Sequence, residues 1–559
     1  MKLALIPVNV TIGDFEGNLK IHQSLVKDAV KQGASFLVFP ELSLVGYFPR
    51  DLLSRPSWNS KAALQLAEFH EWLQANYPEV GVLVGTTVAV EADSVSPRGL
   101  ANCAVFLHGK QKEVRAKTLI PFYDVFHESR YFDSAEHLPD SFRAPITFAG
   151  KKIGVLICED SWHEMQILGR PVHRANPALR LKEQGVDLLV NLSASPFDRE
   201  KKSRRRATIQ AQAKGLNLPL AYVNHFGGQD EVLFDGDAFF INGAGEFLAE
   251  KEEASLAPLT AKIEGSGRGG RKLERAELRD LRRMAVVGIR DYAKKNGFER
   301  AVLGLSGGID SALVATLACE ALGAGNVIGL LMPSKFSSVH SIEDAESLGT
   351  ALGLTRRHLP IKMPHSTFAM ALKPFFEGLA EDTTEENLQS RLRGVAVMAF
   401  ANKFKALALA TGNKSEFAMG YTTLYGDMCG ALAPIGDLYK GEVYELARFL
   451  NEEKAVIPES TLTKAPSAEL KPNQTDQDTL PPYDLLDAAL RLLIEQELDP
   501  PSALPLLKKA HPKADLALLE RIQRALALNE YKRKQAPPIL RLSAKAFGGG
   551  RAYPLTCRF

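Results

Sequence analysis

Three side chains in the first half of the chain could together split an amide: Glu41 in FLVFPELS, Lys117 in RAKTLIPF and Cys158 in IGVLICEDSW. A thiol must lose its proton before it attacks a carbonyl, and a nearby carboxylate is a base that can take it. A lysine ammonium favours that thiolate and the negative oxygen of the tetrahedral intermediate. The second half carries a different chemistry in GLSGGIDS, Gly304, Leu305, Ser306, Gly307, Gly308, Ile309, Asp310 and Ser311. Gly307 and Gly308 let backbone amides turn inward, Ser306 and Ser311 add hydroxyl donors, and the helix that follows aims its positive end at the same spot. Such a pocket takes a pyrophosphate group. Asp310 would repel phosphate unless a cation intervened, which points to a magnesium ligand.

Taken alone, each residue has an ordinary reading. A cysteine at a strand end is usually core, a loop Glu or Lys is usually solvated, and many strand-helix junctions use glycine only for geometry. Position adds to the case. Glu41, Lys117 and Cys158 each stand just beyond what reads as an apolar strand, and α/β folds collect their active sites where strands end and loops converge. Strand candidates are Lys2–Ile6, Phe36–Phe39, Gly81–Val84, Ile153–Ile157, Leu188–Asn191 and Ala221–Asn224, with a helical stripe of Ile21, Leu25 and Ala29 between the first two.

The stretch IEGSGRGGR has glycine and charge without periodicity and reads as a linker. The chain therefore divides into a domain over 1–262, a linker over 263–275 and a domain over 276–559. The second opens with a helix at Ala276–Lys294, then a strand-turn-helix unit from Ala301. The Pro-rich stretch Ser460–Asp499 reads as loops and short helices lying over the second domain.

A length of 559 residues calls for two or three domains, and 45% hydrophobic with 24% charged residues argues against long disordered stretches. A formal net charge of +2 gives no reason to expect nucleic acid or a membrane surface as partner. No run approaches the roughly 20 apolar residues that span a bilayer, and the N-terminus lacks a secretory pattern, so a cytoplasmic protein is expected. Cys103, Cys158, Cys319, Cys429 and Cys557 are scattered without a CxxC pair, which disfavours a disulfide frame or a zinc site.

The segments around Glu41, Lys117 and Cys158, with GDFEGN and GGQDEVLFDG, resemble the nitrilase superfamily. That resemblance implies an αββα sandwich, with Glu41 as proton acceptor, Lys117 as electrostatic partner and Cys158 as nucleophile. It also implies that Glu128 in HESRYF positions Lys117. Glutamine-using relatives suggest further contacts at Tyr123, Ser195 and Lys201. Lys201 opens the run KKSRRR, and such a run is more often a solvated helix face than a ligand clamp.

The SGGIDS wording departs from the GxxxxGK[ST] form and resembles the ATP pyrophosphatases, which release pyrophosphate and AMP while activating a carboxylate or carbonyl as its adenylate. Within that class, TTEENLQSRLRG, ATGNKSEFAMGYTTLYGDM, PSAELKPNQTDQDTLPPYDLLD and NEYKRKQAPPILRLSAKAFGGGRAYP resemble NAD synthetases. The resemblance implies a doubly wound parallel sheet, ATP held by Gly304–Ser311 and Thr411, and deamido-NAD held by Asn387 and Lys532. It assigns Glu416 to the dinucleotide or to magnesium, and Asp310 to magnesium. On composition alone Lys532 reads as a surface lysine in a basic tail. Gly441 stands after Lys440 where the family commonly has Lys-Thr, which puts a hydroxyl contact to ATP in doubt.

Joined, the two halves imply that ammonia freed from L-glutamine amidates an adenylated deamido-NAD, giving NAD, AMP, pyrophosphate and glutamate. ATP and magnesium are required, with no tightly bound organic cofactor. At neutral pH bulk ammonia is mostly ammonium, so the resemblance also implies a protected passage and a homo-oligomer. Three rivals stand beside this reading. One is another amidotransferase, whose glutaminase would use Cys-His-Glu; another is an ammonia-dependent synthetase with an incidental amidase; the last is a binding protein built on decayed domains, against which every reactive residue is intact.

Overall fold

The structure, a computed structural model, describes residues 1–167, 169–251, 256–262 and 276–556. The expected linker at 263–275 and Cys557 lie outside the described residues. Two compact units emerge, one from Met1–Gln229 with Leu233–Asp280, the other from Asp230–Val232 and from Leu281 onward. The division falls inside the helix Ala276–Lys295.

The first unit has two six-stranded sheets. One runs in the spatial order Leu259–Lys262, Lys2–Leu5, Phe36–Val38, Gly81–Ala89, Leu100–His108, Gln111–Ala116. The other runs Phe247–Glu250, Ala238–Ile241, Leu220–Asn224, Leu188–Ser193, Lys151–Ile157, Ile146–Phe148. Side chains alternate between strand faces, so each sheet offers two apolar surfaces. Leu3, Leu5, Phe36 and Val38 of the first sheet meet Ile153, Ile157, Leu188 and Val190 of the second in one buried core. On the far face of the first sheet, Ala4, Leu37 and Val82 pack against Leu19 and Val26 of helix Phe15–Lys31 and Leu66 and Phe69 of helix Pro56–Asn76. On the far face of the second, Leu156, Leu189 and Tyr222 pack against Ala178 and Leu181 of Pro177–Glu183 and Ile209 and Ala213 of Lys201–Leu216. Helix, sheet, sheet and helix form the expected αββα layers.

The strand before Lys117 corrects one expectation. It is QKEVRA, Gln111–Ala116, and it is polar rather than apolar. It sits at the edge of its sheet, where one side of the ladder and much of one face remain open to water.

The second unit has a wholly parallel sheet in the order Thr355–His358, Val327–Leu331, Arg300–Gly304, Ala406–Ala408. Helix Ile309–Leu322 is apolar on nearly every side and buried over most of its length, as a crossover helix against such a sheet must be. The stretch Ser460–Asp499 begins within the helix Glu459–Thr463 and goes on to a single 3-10 turn at Asp476–Asp478 and the helix Tyr483–Leu490. Leu486, Ala489 and Leu490 of that last helix enter a core with Phe417 and Tyr439, so part of the segment is integral to the unit rather than laid over it.

Candidate active site

Cys158 follows the strand Lys151–Ile157 directly and opens a single turn, Cys158–Ser161. Its φ is +44°, a left-handed conformation that costs a residue with a Cβ and that is commonly retained at reactive turns. Two contacts hold the turn. The Cys158 N–H donates to Asn191 Oδ1 at 3.2 Å, and Asn191 Nδ2 donates to Ser161 Oγ at 2.7 Å. Asp160 ties this turn to Lys117: one oxygen accepts from the Ile157 N–H at 2.9 Å, the other from the N–H groups of Thr118 and Leu119 at 3.0 and 2.8 Å. Burial raises the Asp160 carboxyl to about 6, against the pull of those peptide donors.

Lys117 is wholly buried. Its ammonium donates to Glu41 Oε1 at 2.7 Å and to both oxygens of Glu128 at 2.9 Å. Burial disfavours that charge, yet Glu128 and Glu41 outweigh it and hold the lysine pKa well above its ordinary value. Asn102 Nδ2 donates to Glu41 at 2.7 Å and reaches Glu128 at 3.3 Å, and the Tyr47 hydroxyl donates to Glu128 at 2.8 Å. Glu41 Oε2 accepts from the Ala194 N–H at 2.9 Å. Burial raises the Glu41 carboxyl, Lys117 opposes that, and Glu128 adds to it, leaving a stronger base than an exposed carboxylate. Burial and then Glu41 push the Cys158 thiol well above its ordinary value, with Lys117 opposing. Burial thus favours the protonated form of the Cys158 thiol, with a carboxyl of raised proton affinity in the same centre.

The expected glutamine contacts gather around this triad. The Tyr123 hydroxyl donates to Glu159, next to Cys158, at 2.8 and 3.0 Å, and His173 Nε2 lies 2.7 Å from the same carboxylate. Lys201 heads its helix with Nζ 4.8 Å from the ring centre of Trp162. Ser195 is buried, and both its N–H and its carbonyl are held by Asn224. Sequence reasoning missed Glu159, Asp160, Asn191, Asn102 and Tyr47 as members of the centre. Asn102 had a signal: it is a lone amide in the apolar strand LANCAVFLH, and a buried polar group needs partners.

In the second unit, Gly304, Ser306, Gly308, Asp310, Ser311 and Thr411 line a cavity of about 300 Å³, with Glu416, Lys440 and Glu469 on its walls. Gly307 has φ +78°, and a Cβ there would overlap the Ser341 carbonyl oxygen, so no other residue fits. Ser306 and Ser311 hold each other at 3.1 Å across the turn, and Ser306 Oγ accepts from the Gly308 N–H at 3.2 Å. Glu469 accepts from Ser338 and Ser341 at 2.8 and 2.7 Å, which fixes the Pro466–Leu470 stretch on the cavity rim.

Asp310 and Glu416 converge. Asp310 accepts from Lys440 Nζ at 2.5 Å and Asn413 Nδ2 at 3.0 Å, while Glu416 lies 3.5 Å from Lys440. Burial, and then the Asp310 charge, raise Glu416 to about 8. Lys440 keeps its place although Gly441 follows it; the Gly441 N–H donates to Asp487 at 2.8 Å. No group of three or more His, Cys, Asp or Glu side chains arranged for a metal occurs among the described residues. Asn387 accepts from the Thr423 hydroxyl at 2.7 Å. Lys532 is half-buried rather than a free surface lysine, with Nζ donating to the carbonyls of Gly420 and Thr422 at 2.7 and 2.8 Å. Both therefore brace the 420–423 stretch, and Thr422 lines the cavity.

The chain matches the carbon-nitrogen hydrolase family model over residues 2–269 and the NAD synthase family model over residues 282–536. Its class is thus a carbon-nitrogen hydrolase and an NAD synthase joined in one polypeptide. A glutamine-dependent NAD(+) synthetase of Synechocystis sp. is 43% identical, with 100% of this chain and 99% of that protein covered. One from Thermotoga maritima is 39% identical over 100% and 99%. The solved glutamine-dependent NAD+ synthetase of Acinetobacter baumannii, in complex with ADP, superposes with a TM-score of 0.74 at 33% identity, covering 99% of this chain and 98% of that one. This chain belongs to the glutamine-dependent NAD(+) synthetase family.

Proposed function

We propose that this chain converts deamido-NAD to NAD, with ATP as the energy source and L-glutamine as the nitrogen donor. The observation that carries the reading is the buried Lys117 ammonium shared between Glu41 and Glu128, in the same centre as a cysteine held on a left-handed turn. Family membership, with both halves covered, supports it.

In the first centre, Glu41 takes the Cys158 proton as sulfur attacks the glutamine amide carbon. The Lys117 ammonium stabilises the oxyanion. The protonated carboxyl passes its proton to the departing nitrogen, and ammonia leaves. Water, deprotonated by Glu41, then cleaves the thioester to glutamate. Tyr123, Ser195 and Lys201 are the proposed glutamine contacts. Glu159 adds a buried carboxylate beside the nucleophile, suited to the substrate's α-ammonium group.

In the second centre, Gly304–Ser311 and Thr411 hold ATP. The nicotinate carboxylate of deamido-NAD attacks the α-phosphorus, and the bond to pyrophosphate breaks. Adenylation is needed because a free carboxylate would have to expel oxide. Ammonia then attacks the acyl carbon, AMP leaves with its bonding electrons, and the amine loses a proton to give the amide. Asn387, Glu416 and Lys532 are the proposed determinants for the dinucleotide. Asp310 and Glu416 would hold a magnesium ion in the place beside them that the Lys440 ammonium takes in this structure, and the ion would neutralise phosphate charge there.

The domain reading, a glutaminase over 1–262 and a synthetase over 276–559 joined by 263–275, remains part of this proposal. A homo-oligomer remains part of this proposal, and exposed Met363, Phe368, Met370, Phe375, Leu379 and Val395 in the second unit are apolar side chains that a subunit contact would cover. A reducing, cytoplasmic setting suits a nucleophilic thiol, and no helix among the described residues is long and apolar enough to cross a membrane. The decisive assay is mass spectrometry after incubation with deamido-NAD, ATP, magnesium and glutamine. NAD, AMP and glutamate are expected; absence of both AMP and glutamate overturns the reading.

A further inference from the structure

The basic run KKSRRR reads as a solvated helix face, and Ser203 and Arg204 are indeed exposed. Arg205 differs: its side chain is wholly buried. Its Nη2 donates to Asp235 Oδ2 at 2.5 Å and to Asp237 Oδ2 at 2.8 Å, and the guanidinium carbon lies 5.5 Å from the centre of the Tyr222 ring. Arg206 takes the other side of Asp237 at 2.8 Å.

Asp235 passes the constraint on. Its Oδ1 accepts from Asn224 Nδ2 at 3.0 Å. An ionised carboxylate only accepts, so Asn224 must turn its NH₂ toward Asp235 and its oxygen away. That oxygen accepts from the Ser195 N–H at 2.8 Å, while Nδ2 also reaches the Ser195 carbonyl at 2.9 Å. Both backbone polar groups of Ser195 are thereby pinned. The preceding residue, Ala194, gives its N–H to Glu41 at 2.9 Å.

Burying a guanidinium costs several kcal/mol, and an apolar side chain of similar volume often packs at no loss. Arg205 also leaves Nε and Nη1 without a hydrogen-bond partner among the described residues. Packing alone gives no reason for such a residue. We infer that Arg205 is a positioning residue for glutamine hydrolysis, acting through Asp235 and Asn224 to keep the Ala194 N–H on Glu41; this rests on the glutaminase reading above. The same N–H draws down the proton affinity of the Cys158 thiol, so it serves both partners in the proton transfer. The other groups facing Glu41 and Cys158 are Lys117, Glu128, Glu159, Asn102 and the hydroxyls of Tyr47, Tyr123 and Tyr222; of these only Tyr222 touches Arg205, and as a neutral phenol it keeps its charge state when Arg205 is replaced.

The test compares Arg205→Met and Arg205→Lys in the full chain, following glutamate release against pH and the rate at which iodoacetamide alkylates Cys158. An anion that loses a donor binds its proton more tightly. The acid limb of kcat should therefore move to higher pH in Arg205→Met, the alkylation midpoint should move with it, and kcat should fall about 100-fold. Arg205→Lys, which keeps the charge, should recover part of both. NAD formation from ammonium chloride should be unchanged. An unshifted acid limb in Arg205→Met overturns the inference, and so does a loss of rate that Arg205→Lys does not relieve. Should the arginine variants not fold, Asn224→Ser carries the same expectation: a shifted limb supports the relay and an unshifted one overturns it. Absence of glutamate from the unaltered chain would strike the glutaminase reading instead, so the two failures are distinguishable.

Discussion

Lys440 Nζ stands 2.5 Å from Asp310 and 3.5 Å from Glu416, so one ammonium separates two carboxylates contributed by different elements of the second unit. Burial and Asp310 still leave Glu416 binding its proton up to about pH 8, against an ordinary value of 4.5. A carboxyl raised in the folded state favours folding while it is protonated. Its contribution is complete below about 4.5 and is lost as pH climbs toward 8. Glu416→Gln keeps an oxygen for the Asn413 N–H and abolishes the titration. The thermal transition of the second unit should lie above the parent's at pH 8, with the gap closing toward pH 5. AMP formation should fall by about 100-fold or more, because an amide is a poor substitute for the carboxylate proposed to hold magnesium beside Asp310. Parallel stability curves for variant and parent would refute the assignment.

Cys158→Ala separates the two centres. Glutamine-driven NAD formation should drop by at least about 1,000-fold, while synthesis from ammonium chloride stays close to the parent rate. Glutamine-driven turnover surviving in this variant would remove Cys158 as nucleophile.

Glu128→Gln probes the sharing of Lys117. Glu128 adds to the raised proton affinity of Glu41, so removing its charge should shift the acid limb of glutamine hydrolysis to lower pH. Lys117 also loses a charged partner, and kcat should fall about 100-fold. A limb that moves upward, or stays, contradicts this electrostatic picture.

Gly307→Ala tests the phosphate turn. The added methyl would overlap the Ser341 carbonyl in a backbone conformation unsuited to alanine. Displacing the turn by about 1 Å should cost roughly 100-fold in AMP formation. Glutamate release in the absence of the other substrates should be untouched. Normal AMP formation would show that the turn does not grip the departing diphosphate.

The residues of the two candidate centres stood out because each sat in distinctive wording at the end of a strand or on a glycine turn. Cys158 after KIGVLI and Ser306–Ser311 after AVLGL needed only a strand and the residue types that follow it. Arg205 was not legible. Within KKSRRR every residue but Ser203 is basic, so no apolar periodicity shows which one faces inward, and the partners of Arg205, Asp235 and Asp237, lie 30 and 32 residues away. The strand preceding Lys117 was misread for a related reason: an edge strand carries charges that a central one excludes. Lys532 looked like a solvated tail residue because its acceptors are backbone carbonyls, which leave no mark in the amino-acid code.

Asp160 grips peptide groups on both sides of the first centre, one at Ile157 and two just after Lys117. Thiol and ammonium are thus mounted on a common bracket, and neither can drift alone. Losing Asp160 would therefore release the cysteine turn and the Lys117 segment together rather than one at a time.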